Sequence, residues 1–277
     1  MCELLAISSR RPTRLTLSLE ALAARSAAGY STRDGWGAAF YQGSDVSLYR
    51  EPSAASDSAL VRLLQQSGPD TQLAMSHIRH ATHGALTLAN TQPFVRELGG
   101  RTHVFAHNGH LPGVMQDGRF TPRGFRPVGE TDSEHAFCAL MTRLLPLWQS
   151  GADAPTLEAR LALVTAFAAE LRELGPANFL YADGDVLFAH SHRRIQSTGR
   201  IEPPGLFMLT RQCRDEREQV RQQGVSIGCG FQEVVLLASV PLSDEPWRAL
   251  AEGEVVAVSA GKVVARQLPG VQAALAS

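Results

Sequence analysis

Two long helical segments set between two strand-rich stretches constrain the fold of this 277-residue chain more than any other feature. Thr131 to Trp148 and Thr156 to Leu174 carry periodic apolar residues, and Gly151 to Pro155 separates them. Before them, Glu3 to Ile7, Gly35 to Tyr41, Val46 to Tyr49, Leu73 to Arg79 and Thr102 to His107 read as strands. After them come Phe179 to Tyr181, Val186 to Phe188, Leu206 to Leu209, Val234 to Ser239, Glu254 to Val258 and Val263 to Arg266. Gly43-Ser44 and Asp183-Gly184 supply the turns of two hairpins. Leu15 to Ala28 and Ser56 to Gln66 read as further helices, the second closed by Gly68-Pro69. Leu111 to Gly129, rich in Pro, Gly and Arg, reads as a long loop, and Arg211 to Gln223 as a polar surface loop or short helix. Strands, then helices, then strands suit one layered domain over residues 2–277 better than a doubly wound parallel sheet.

The charge balance excludes several classes of partner. A formal net charge of -1 leaves no basic footprint for nucleic acid. No window approaches the roughly 18 apolar residues of a membrane span, and Met1 to Ile7 lacks the basic start and apolar run of a signal peptide. Cys2, Cys138, Cys213 and Cys229 are scattered without CxxC spacing, which argues against a disulfide framework or a zinc ribbon. The expected compartment is the reducing cytoplasm.

Cys2 follows the initiator methionine. Trimming of Met1 before so small a residue leaves Cys2 with a thiol and a free α-amine. An N-terminal amine titrates at about 7.7 to 8.0, so one residue can supply both nucleophile and base. Three polar clusters lie further along. His77-Ile78-Arg79-His80-Ala81-Thr82-His83-Gly84 closes a strand, and its Arg could grip a carboxylate through two parallel hydrogen bonds. His107-Asn108-Gly109 closes another; a side-chain amide beside a Gly N–H can donate to an oxyanion, although Asn-Gly is also a common tight turn. Thr131 and Glu134 fit a capping box, which places Asp132 in the first helical turn as a fixed carboxylate.

Taken in order, these strings resemble the class II glutamine amidotransferases, in which an N-terminal Cys precedes His-x-Arg-x-Ala-Thr-x-Gly, His-Asn-Gly and Thr-Asp-x-Glu. Asp34-Gly35-Trp36-Gly37, Asn90-Thr91-Gln92-Pro93-Phe94, Asn178-Phe179-Leu180 and Ala238-Ser239-Val240-Pro241-Leu242 extend the resemblance along the whole chain. It is most similar to the stand-alone YafJ-type branch, which opens Met-Cys-Glu-Leu-Leu. The resemblance implies an α+β fold, the four-layer αββα sandwich of N-terminal nucleophile hydrolases, with two antiparallel sheets between helical layers. It implies that Cys2 attacks the side-chain amide of L-glutamine and that Asn108 and Gly109 hold the oxyanion. It further implies that Arg79 binds the substrate α-carboxylate and Asp132 its α-ammonium, with Thr82 and His83 lining the same pocket. No cofactor and no metal is implied; ammonia leaves, and a γ-glutamyl thioester is hydrolysed to glutamate. Multidomain relatives carry a synthase after the glutaminase, whereas here the glutaminase pattern consumes nearly the whole chain.

Other readings stay open at this stage. His77, His80, His83, His103, His107 and His110 crowd one stretch, as in a metal-dependent hydrolase, but no His-Glu-x-x-His spacing accompanies them. The substrate could be another γ-glutamyl amide, as in ergothioneine-pathway or glutathione-degrading relatives. A non-catalytic glutamine-binding subunit, an ammonia-accepting partner synthase and a homo-oligomer are likewise left open.

Overall fold

The computed structural model describes residues 2–17, 34–80, 84–149, 153–213, 219–222, 225–228 and 232–270. Strand β1 (Glu3–Leu17) opens it, and Leu4, Leu5, Ala6 and Ile7 are all buried, so both of its faces are covered. β2 (Trp36–Gln42) and β3 (Asp45–Glu51) form the expected hairpin around Gly43-Ser44. Helix α1 (Ala59–Ser67) starts at Ser58, whose hydroxyl accepts the Val61 N–H at 3.0 Å, and leads into β4 (Asp70–Ile78). β5 (Phe94–Leu98) and β6 (Arg101–Gly109) follow, then α2 (Asp132–Gln149) and α3 (Leu157–Leu174). β7 (Ala177–Ala182) and β8 (Leu187–His190) turn at Asp183-Gly184, where Gly184 adopts φ +90°, a backbone region that favours glycine. A small hairpin, β9 (Arg194–Ile195) and β10 (Ile201–Glu202), stands apart. The rest comprises β11 (Phe207–Cys213), β12 (Gln219–Gln222), β13 (Val225–Gly228), β14 (Gln232–Ala238), β15 (Arg248–Ala249), β16 (Val255–Ser259) and β17 (Lys262–Gln267).

These strands form two large antiparallel sheets. The first runs β15-β11-β14-β1-β4-β2-β3, with β13 and then β12 joined to the far part of β1; the second runs β17-β16-β8-β7-β6-β5. Between them Leu4, Ala6, Met75 and Leu237 meet Val104, Ala106, Leu180 and Val256 in one apolar layer. Over the second sheet, α2 and α3 press Phe137, Leu140 and Phe167 onto Phe105, Phe179 and Phe188. The Phe105 and Phe137 rings stack with centroids 5.2 Å apart. Over the first sheet, Val61 and Leu64 of α1 cover Leu5, Ile7 and Trp36. Helix, sheet, sheet and helix give the α+β αββα sandwich. Among the described residues no helix is long and apolar enough to cross a membrane.

Three segments depart from their sequence-based expectations. Leu15 to Leu17, expected to begin a helix, continue β1 and pair with Val225 to Ile227; the rest of that expected helix lies outside the described residues. The expected polar loop after Arg211 contributes the end of β11 and all of β12, because strand pairing with β13 and β14 outweighs a polar composition. β5 was not anticipated: Phe94 and Leu98 are buried while the three residues between are not.

Register then decides what meets at one end of the sandwich. Glu3 pairs with Ile78, so the head of β1 lies beside the tail of β4.

Candidate active site

Cys2 sits half-buried at the head of β1, and its thiol meets the backbone just beyond β4. The His80 N–H donates to Cys2 Sγ at 3.3 Å, and Sγ lies 3.5 Å from the His80 carbonyl oxygen. Burial pushes the thiol pKa up, against a smaller lowering by the His80 N–H. A thiol kept protonated in this way needs a base before it can attack.

Arg79, one residue past β4, is 4% exposed, and its guanidinium lies at the cavity wall. Nη2 donates to Gly84 O at 3.2 Å and Nη1 to Ala85 O at 3.1 Å, so the Arg holds the returning loop. Glu130 clamps that loop from the other side: its Oε1 accepts from the Ala85 N–H at 2.9 Å and the Asn90 amide at 3.3 Å. Asn90 Oδ1 accepts the Glu130 N–H at 2.9 Å in return.

Asn108 and Gly109 end β6. The Asn108 amide nitrogen donates to the Cys2 carbonyl at 2.6 Å and lies 3.4 Å from Ser239 Oγ. Asn178 donates to the Asn108 carbonyl at 3.0 Å, fixing the strand from the neighbouring β7. A Cβ at position 109 would collide with the Pro176 carbonyl, so the close approach here demands glycine. Gln92 locks the preceding residue by accepting the His107 N–H at 2.6 Å and donating to its carbonyl at 3.2 Å.

Asp132 opens α2. Thr131 Oγ1 accepts the Glu134 N–H at 3.2 Å, which is half of the expected capping box. The Glu134 carboxylate instead takes the Gly129 N–H at 2.7 Å and Arg96 Nη2 at 2.6 Å. Asp132 accepts from the Leu111 N–H at 2.8 Å and the Ser133 N–H at 2.7 Å, with His110 Nδ1 at 3.4 Å. Burial alone would raise its pKa; His107, the two N–H groups and His110 more than offset that and hold it below the ordinary value. His107, fully enclosed, pairs Nδ1 with Ser133 Oγ at 2.9 Å, and burial lowers its pKa.

Cys2, Arg79, Gly109 and Asp132 border a single cavity of about 270 Å³. Asn108 does not line that cavity; it stands behind the wall, tied to Cys2 by its side-chain amide. The cavity thus offers a thiol, a cation, an anion and a strand-end amide group within one enclosure, the elements of acyl transfer on a zwitterionic substrate. Thr82 and His83 lie outside the described residues. The histidine crowding resolves into separate jobs: His103 Nδ1 is 2.7 Å from the Tyr181 hydroxyl and Nε2 3.0 Å from Leu98 O, while His107 and His110 serve α2. Among the described residues, no three His, Cys, Asp or Glu side chains converge as metal ligands. Reading by motif missed Glu130, whose exposed-looking carboxylate braces the cavity loop, and Ser239, whose signal was only its place in the Ala238-to-Leu242 string.

A family model described as glutamine amidotransferases class-II matches residues 1–276. YafJ of Escherichia coli (strain K12) is 33% identical over 260 residues, covering 92% of this chain and 96% of YafJ. MJ1515 of Methanocaldococcus jannaschii is 30% identical over 272 residues, covering 95% of this chain and 71% of MJ1515. A crystal structure of a predicted glutamine amidotransferase from Pseudomonas aeruginosa PA01 superposes with a TM-score of 0.67 at 32% identity, over 95% of this chain and all of that one. The PRPP amidotransferase of B. subtilis shares the fold, with a TM-score of 0.57 at 16% identity over 93% of this chain and 47% of that chain.

Proposed function

Because this chain belongs to the class II glutamine amidotransferases, we propose that it hydrolyses the side-chain amide of free L-glutamine with Cys2 as nucleophile. One observation carries the reading: Cys2, Arg79, Gly109 and Asp132, drawn from four separate stretches of chain, border one cavity. Arg79 takes the substrate α-carboxylate and Asp132 the α-ammonium, so the site selects a free amino acid over a peptide-linked one. On the same reading Thr82 and His83 take part in substrate binding.

Removal of Met1 frees the Cys2 α-amine. That amine accepts the thiol proton as sulfur bonds to the amide carbon, and the carbonyl oxygen becomes an oxyanion held by the Asn108 amide and the Gly109 N–H. The oxyanion collapses, the C–N bond breaks, and the protonated amine gives its proton to the departing nitrogen as ammonia. Water then adds to the γ-glutamyl thioester, the C–S bond breaks, and glutamate leaves with the thiol restored. On this reading residues 2–277 form one cytoplasmic glutaminase domain that works without a cofactor, and its products are ammonia and glutamate.

The test is mass spectrometry of protein mixed with L-glutamine and quenched in acid. A γ-glutamyl adduct on the peptide that begins at Cys2 is expected. An adduct elsewhere, with turnover intact, contradicts the assignment.

A further inference from the structure

Next to Cys2 the fold encloses an ion pair that the reaction above does not use. Glu3 is 5% exposed and Arg194 is 3% exposed across their side chains, and Arg194 Nη2 donates to Glu3 Oε1 at 2.8 Å. Arg194 Nη1 donates to the backbone carbonyl of Ser239. Ser239 is itself buried, and its hydroxyl oxygen accepts the Leu4 N–H at 3.0 Å. The same oxygen lies 3.4 Å from the Asn108 amide nitrogen. A hydroxyl has one hydrogen and two lone pairs. Leu4 and Asn108 both approach Ser239 Oγ as N–H donors, so the oxygen meets them with its two lone pairs.

We propose that Glu3, Arg194 and Ser239 form a brace that sets the plane of the Asn108 amide against Cys2, with Ser239 as the positioning residue that touches it. This rests on the reading of Asn108 as an oxyanion donor. The terminal torsion of an Asn side chain has a broad, shallow profile. With the Cys2 carbonyl as its one partner, the amide would pivot about that bond. Ser239 Oγ gives a second point, and two points fix the plane. The 3.4 Å contact is also long for a hydrogen bond, so the N–H turned toward Ser239 is held in place yet weakly spent. Donors fixed before charge develops cost no reorganisation when it does. The buried pair adds little as a stability device, since such pairs often do no better than apolar residues. Its arrangement suits geometry instead.

The decisive variant is Ser239→Ala, assayed for glutamate release from L-glutamine beside the unaltered protein. We expect kcat to fall about tenfold, the equivalent of one modest hydrogen bond, with KM unchanged. The rate of Cys2 alkylation by iodoacetamide should also stay unchanged, because the thiol contacts His80 and not Ser239. Ser239→Thr, which keeps a hydroxyl, should restore most of the loss. If Ser239→Ala does not fold, Glu3→Gln should show the same loss confined to kcat. An unchanged kcat in Ser239→Ala, or a parallel fall in alkylation rate, overturns the brace alone. No release from the unaltered protein overturns the reading of the site and the brace with it.

Discussion

The side-chain nitrogen of Asn108 donates to the carbonyl of Cys2 across 2.6 Å, joining the tail of β6 in one sheet to the head of β1 in the other. The proposed nucleophile and oxyanion donor are therefore held by direct contact across the inter-sheet layer. The apolar packing of Leu4, Ala6, Val104 and Ala106 just behind them makes that contact rigid.

Asn108→Ala removes both this tie and the proposed donor. Loss of one oxyanion donor typically costs about 100- to 1000-fold in kcat, and loss of the bond to Cys2 should cost about 1 kcal/mol of stability. Steady-state kinetics and chemical denaturation read the two effects separately. A stability loss with kcat intact would make Asn108 a structural tie only.

Arg79→Lys should mainly raise KM, by about tenfold or more, because an ammonium cannot reproduce the planar fork that holds a carboxylate. The structure adds a second consequence. The guanidinium also holds Gly84 and Ala85 by their carbonyls, so the loop should become more open to limited proteolysis. An unaltered KM removes Arg79 from the substrate clamp.

Much of this was legible in the sequence because the signals are local. Thr131 with Glu134 and Thr156 before Leu157 announce where α2 and α3 begin. Gly43-Ser44 and Asp183-Gly184 announce two hairpins, and Cys2, Arg79, Asn108, Gly109 and Asp132 fall at or beside strand or helix ends. What sequence could not show depends on distant partners. Arg193 and Arg194 look alike as neighbours in a polar run, yet one side chain is 50% exposed and the other is enclosed against Glu3. The strand character of Leu15 to Leu17 likewise comes from pairing with residues more than 200 positions away, which no helical periodicity can report.

Activity should rise with pH through the titration of the Cys2 α-amine, at about 7.7 to 8.0, and then level off. Burial keeps the thiol above its ordinary value, so thiolate formed without the amine is scarce in that range. A pH–rate profile of kcat that climbs only where a raised thiol pKa would place it contradicts the amine as base.

Acid should weaken the fold through two enclosed imidazoles. Burial lowers His77 and His190 from 6.5 to about 3, at His190 against an opposing hydrogen bond to the Ala177 carbonyl, so both stay neutral in the folded protein. Unfolded, they take up protons as pH falls through about 6.5, so the unfolded state binds more protons between roughly 6.5 and 3. The contribution is complete above that window and is lost as pH drops across it. His190→Gln, whose amide can still reach the Ala177 carbonyl that His190 contacts at 2.6 Å, should flatten the dependence. Thermal midpoints measured across this range check it, and an unchanged slope in the variant contradicts it.

The most direct test of the central claim is glutamate release from L-glutamine by protein whose intact mass confirms loss of Met1, run beside Cys2→Ala and a sample that retains Met1. The account predicts release by the trimmed protein alone, with the thermal midpoint of Cys2→Ala little changed. Release by Cys2→Ala, or equal release with Met1 in place, would contradict an N-terminal cysteine that supplies both nucleophile and base.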